Sequence, residues 1–174
     1  MGDSSRGFAS FRARFGGAGA VGLLALGLGF AAALLMLLAE TATLYSIEVD
    51  TATCGDLADP DLADACETTG GEQHSWALVP VALLTALMAV GAGLGGSRPA
   101  AVALAAAGLV VLGIALIGDL PDTNETGEIG SSFTSARAVK GAGLWYEIMG
   151  GALAVVAGAV RLVPGRYRRA SRAT

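Results

Sequence analysis

The sequence predicts an all-α membrane protein: a bundle of four antiparallel transmembrane helices with both termini in the cytoplasm. Three observations predict it. Hydrophobic residues make up 53% of the 174-residue chain and charged ones only 15%, a balance far from that of a soluble domain. The charges are also segregated: residues 16–39, 75–97, 99–118 and 141–160 contain one charge between them, Glu147. Each run is about 20 residues or more, the length a helix needs to cross ~30 Å of hydrocarbon, and none carries the polar stripe of a soluble helix. Finally, nine of the eleven Lys and Arg residues fall on one side of these runs, which the positive-inside rule assigns to the cytoplasm.

Taken in order, residues 1–15 form a basic cytoplasmic N-terminus with Arg6, Arg12 and Arg14, and the first span covers 16–39. That apolar run is too long for a cleaved leader, whose hydrophobic region is roughly 7–15 residues, and no clean A-x-A site follows it. A first outer loop, 40–74, precedes the second span, 75–96. Residues 97–98, within "GGSRP", make a tight inner turn, so the second and third (99–118) spans form a hairpin. A second outer loop covers 119–140, the fourth span 141–162, and a basic tail 163–174. Trp76, Trp145 and Tyr146 lie where interfacial belt aromatics belong, and Pro80 falls in the first turn of its helix, where its missing N–H costs little.

The first outer loop is long enough to fold. "TLYSIEVDTAT" alternates Tyr45, Ile47, Val49 and Thr51 against polar neighbours, the period of a half-buried strand. In "CGDLADPDLADAC", Asp59 can cap a short helix that has Pro60 at its first position. The two copies of DLAD read as a solvated acidic surface. Cys54 and Cys66, the only cysteines, flank them, and outside the cytoplasm they are expected to pair as a disulfide. "TTGGEQHS" reads as a flexible return to the membrane, and the second outer loop, rich in Gly, Ser, Thr and acids, as irregular.

Glu147 is the leading candidate functional residue, because an acid inside a span is costly and faces the bundle interior as a rule. Lys140, Gly143, Glu147, Gly150, Gly151, Ala154 and Gly158 recur at spacings of three and four, which places them on one helix face suited to close packing. Glu40 and Asp119 also end apolar runs at the outer side, so the three acids and Lys140 form a candidate binding set. A competing role for Glu147 is a purely orienting one, snorkelling to the interface or pairing with Lys140 or Arg137. Gly91-x-x-x-Gly95, Ala25/Gly29/Ala33 and Ala103/Ala107 are further small-residue seams, for packing within the bundle or onto a partner.

Other motifs weigh less. "DTNETGE" (122–128) resembles the start of a calcium loop but lacks the Glu at its twelfth position, and Asn124-Glu125-Thr126 is a glycosylation acceptor only in a host that uses such sites. His74, the one histidine, has no sequence-local set of zinc ligands, so neither a metal nor another cofactor is expected. No nucleophile elbow, Walker loop or HExxH is present. The arginine-rich tail suits anionic lipid, and no nucleic-acid partner is expected. These features favour a non-enzymatic accessory or interaction subunit of the plasma membrane, in contact with the bilayer and with a membrane-protein partner or further copies of itself. The rival is a small oligomeric transporter or channel with an acidic outer vestibule around Glu147.

Overall fold

In the computed structural model, residues 19–49, 66–124, 126 and 134–163 are described. Helix α1, Ala20–Thr41, is an uninterrupted Ala/Leu-rich helix of 22 residues. It ends where Ala42 turns extended and feeds strand β1, Thr43–Val49. Strand β2, Glu67–Thr69, runs into the single-turn helix α2, Gly70–His74. Helix α3, Leu78–Gly93, and helix α4, Arg98–Gly113, follow. The Ser97 hydroxyl caps α4 by accepting the Ala100 N–H at 3.3 Å, and Pro99 sits in its first turn, where a missing N–H breaks no helical bond. Helix α4 continues through a π-helical segment, Ile114–Asp119, into the short turn α5, Leu120–Asp122. Strand β3, Ala136–Lys140, precedes helix α6, Ala142–Leu162.

Among the described residues three helices are long and apolar enough to cross a membrane: α1, the continuous Arg98–Asp122 helix and α6. Helix α3 is also apolar but has 16 residues, short of the ~20 that span the hydrocarbon layer. The expected 75–96 run is trimmed because residues 75–77 form a turn and the helix stops at Gly93.

Packing follows an inverted size rule. The buried centre is mostly alanine, Ala32, Ala82 and Ala154 among them, with Met36 and Leu104 as its larger members. Leu23, Leu34, Leu83, Leu87, Leu109 and Ile117 project outward. So broad an apolar surface would drive aggregation in water, but it suits lipid, where association relies on small residues that let backbones approach. The α4–α6 contact shows the reason: a Cβ on Gly108 would lie 2.5 Å from the Gly151 carbonyl oxygen, and one on Gly158 2.5 Å from that of Ala101. The seam with Gly29 and Ala33 is likewise buried, whereas Ala103 is exposed. At the opposite end from the strands, Arg161 Nε donates to the Ala92 carbonyl at 2.7 Å, tying α6 to the end of α3.

The strands form one antiparallel sheet in the order β2-β1-β3, with Tyr45 opposite Lys140, Ile47 opposite Ala138 and Val49 opposite Ala136. Glu48 and Arg137 face each other and form a 2.7 Å ion pair. The expected strand is therefore present, but a register irregularity between Thr43 and Tyr45 buries Leu44 with Ile47 and leaves Tyr45 half-exposed. Two loop expectations are corrected. "TTGGEQHS" is ordered as β2 and α2, and the second loop contains α5 and β3. Asp59, Pro60, Thr51 and Cys54 lie outside the described residues.

Candidate functional site

The sheet-bearing end of the bundle gathers four ionisable side chains from four separate elements. Glu40 comes from the last turn of α1, and one of its oxygens, Oε1, accepts the Leu78 N–H at 2.6 Å. That N–H belongs to the first turn of α3, whose donors lack helical partners, and the positive end of a helix dipole favours a carboxylate there. The carboxylate of one helix thus caps the next.

His74 is placed by local chemistry. Thr69 and Glu72 form a reciprocal capping box: the Thr69 hydroxyl accepts the Glu72 N–H at 3.4 Å, and Glu72 Oε2 accepts the Thr69 N–H at 2.8 Å. This nucleates α2 in only five residues. Ser75 and Trp76 then both adopt left-handed conformations, φ 51° and 63°, which non-glycine residues rarely take and which cost energy. They stop α2 directly after His74, and a Cβ on Gly71 would meet the Trp76 indole at 2.9 Å. From this turn Gln73 Nε2 donates to Asp122 Oδ2 at 3.0 Å, and His74 Nε2 lies 3.0 Å from Asp119 Oδ1. The Asp119 carboxylate holds the imidazole pKa above its usual value, since a hydrogen-bonded anion favours the charged ring.

Asp119 closes the π segment. The wider π turn, bonded i to i+5, keeps Asp119 beneath Ala115 on the buried face instead of letting it drift toward lipid; both residues are buried. Glu147 is fully buried on the glycine-rich face of α6, beside Gly143, Gly150 and Gly151. One ligand-competent atom from each of His74, Asp119 and Glu147 lies within 4.8 Å of the others. The Glu40 charge is near enough to act on both His74 and Glu147.

These buried groups are under-satisfied. Among the described residues, Glu40 Oε2, His74 Nδ1, Asp119 Oδ2 and both Glu147 oxygens find no hydrogen-bond partner. Buried polar atoms are almost always paired, and adjacent buried carboxylates need a counter-charge. The arrangement is therefore suited to hold a positive species, either a shared proton or a metal cation.

The sequence groups Glu147, Glu40 and Asp119; the structure brings Asp119 and Glu147 together with His74, and Glu40 lies at the same end of the bundle on the Leu78 N–H. Lys140 is not with them: it lies exposed on β3, outside the helix whose face it was expected to share. Among the described residues neither Lys140 nor Arg137 forms an ion pair with Glu147. His74 is a further member that spacing along the chain does not reveal, because Asp119 and Glu147 come from distant elements. The available signal was depth: His74, Glu40, Asp119 and Glu147 all lie near the same end of their apolar runs. No family model, curated protein or solved structure matches the chain.

Proposed function

We propose that the chain is a non-enzymatic accessory protein of the plasma membrane that binds a cation at the sheet-bearing end of its bundle. One observation carries this reading: four buried polar atoms without a hydrogen-bond partner among the described residues belong to the single cluster of His74, Asp119 and Glu147, while the interior beyond them is filled by Ala32, Met36, Ala82, Leu104, Val111 and Ala154. A binding site needs the first feature; a conducting path would need an opening through the second. In this reading α3 completes a four-span bundle, since a thinned bilayer or flanking residues accommodate a short helix at modest cost. Both termini face the cytoplasm, as the arginine distribution favours. The Cys54–Cys66 disulfide closes the first outer loop; Cys66 is buried, its Sγ 3.0 Å from the Ile47 carbonyl oxygen, and non-reducing mass spectrometry is expected to find the pair within one chain. The chain acts with a membrane-protein partner, recovered in stoichiometric amount by mild-detergent affinity purification.

The separating experiment compares cation binding with cation flux in proteoliposomes. Saturable binding without flux is expected. Flux that is lost on Glu147→Gln would replace this reading with the oligomeric transporter.

A further inference from the structure

The geometry points to a divalent transition-metal site of the zinc class, with His74, Asp119 and Glu147 as its ligands. This rests on the cation-binding reading above and names the ion. The donor set decides the class. Calcium seeks six to eight oxygens, and magnesium keeps several waters in an octahedron. One imidazole with two carboxylates is instead the nitrogen–oxygen mixture that zinc and its first-row neighbours accept, in four-coordinate geometry with bonds of about 2.0–2.2 Å. The three ligand-competent atoms already lie within 4.8 Å of one another, so side-chain adjustments suffice to close them on an ion. The anionic carboxylates supply charge complementary to a divalent cation, and Glu147, fully buried with both oxygens unpartnered, is the residue that most needs it.

The position of the ligands gives the site a consequence. His74 belongs to α2, the last element before α3; Asp119 ends the π segment; Glu147 belongs to α6. A bound ion would therefore cross-link the first loop to two helices of the bundle. Glu40, fixed on the Leu78 N–H, adds negative charge from α1 without having to be a ligand.

To test this, the full-length chain is purified in detergent without reductant, stripped with chelator, dialysed, and titrated separately with Zn2+, Co2+, Ca2+ and Na+. One Zn2+ per chain is expected. Co2+ should give the visible bands of nitrogen–oxygen coordination with no thiolate charge-transfer band, which separates this site from any binding at the cysteines. His74→Ala, Asp119→Asn and Glu147→Gln should each weaken Zn2+ at least tenfold, and Glu67→Gln, at an exposed position on β2, should not. Circular dichroism selects the variants that keep the helical fold, and the near-isosteric Asp119→Asn and Glu147→Gln decide if His74→Ala does not. Undiminished Zn2+ affinity in folded variants overturns the assignment. Tighter binding of Ca2+ or Na+ than of Zn2+ overturns the ion class and leaves the cation-binding reading standing. Binding of none of the four ions overturns both.

Discussion

Glu40 illustrates how a carboxylate is tolerated where two apolar helices meet. One oxygen satisfies a helix N–H that would otherwise be orphaned, while the other, Oε2, has no partner. Glu40→Ala removes the acceptor and strands the Leu78 N–H, so a loss of roughly 1–3 kcal/mol is expected. Glu40→Gln keeps an acceptor oxygen and should lose less; melting temperatures in detergent rank the two. Glu147 should behave differently, because its oxygens satisfy no donor among the described residues. Saturating Zn2+ at about 100 times Kd should raise wild-type stability by roughly 2.7 kcal/mol through linkage. Chelator should reverse that gain, and Glu147→Gln, expected to bind Zn2+ at least tenfold more weakly, should gain no more than about 1.4 kcal/mol at the same Zn2+ concentration when the melts are repeated.

At the level of elements, the π segment and the capping box place two of the three proposed ligands. Deleting Gly118, which lies within the π segment and has no atom within 4 Å of its Cβ position, removes the extra residue that a π turn accommodates. The helix should revert to α geometry with Asp119 still on the buried face, because the deletion and the narrower turn offset each other, so Zn2+ affinity should hold within about threefold and helix content by circular dichroism should not change. A loss of tenfold or more in a folded deletion variant would show that the π turn itself, and not the helix face, aims Asp119. These elements also mark where the sequence was and was not readable. The long helices were, because an uncharged run in lipid has few other ways to satisfy its backbone; 141–162 was expected and Ala142–Leu162 found. Helix α2 was overlooked because its two glycines suggested flexibility, although Thr69-x-x-Glu72 spells a capping box. Strand β3 was hidden because "ARAVK" is short and its pairing partner, β1, is distant in sequence.

For the molecule as a whole, the placement of small and large residues makes the membrane assignment legible and the site only partly so. The acids were visible because charge is rare in this chain, but their convergence with His74 depends on helix packing that no local pattern encodes. Close backbone contact should make the bundle intolerant of added volume. Gly108→Val would drive its side chain into the backbone of Gly151 and Val155, with an expected loss of about 1–3 kcal/mol or more, seen as a lowered detergent melting point. Orientation is tested separately: single cysteines replacing Ser5 and Ser171, in a background without the native cysteines, should resist an impermeant thiol reagent in intact cells, whereas one replacing Ser131 should react.

The sheet order has a further consequence, for biosynthesis. Strand β1 lies in the middle of the sheet, yet β3, one of its two neighbours, is made only after the whole α4–α5 helix has followed it. A nascent chain therefore carries β1 with one side unpaired while the intervening helices enter the bilayer, and an unpaired strand edge invites wrong partners. Completion of the sheet thus requires that α3 and the α4–α5 helix have already been made. A chain stalled before Ala136 would keep that edge bare, a mark by which cellular quality control could tell an unfinished molecule from a finished one.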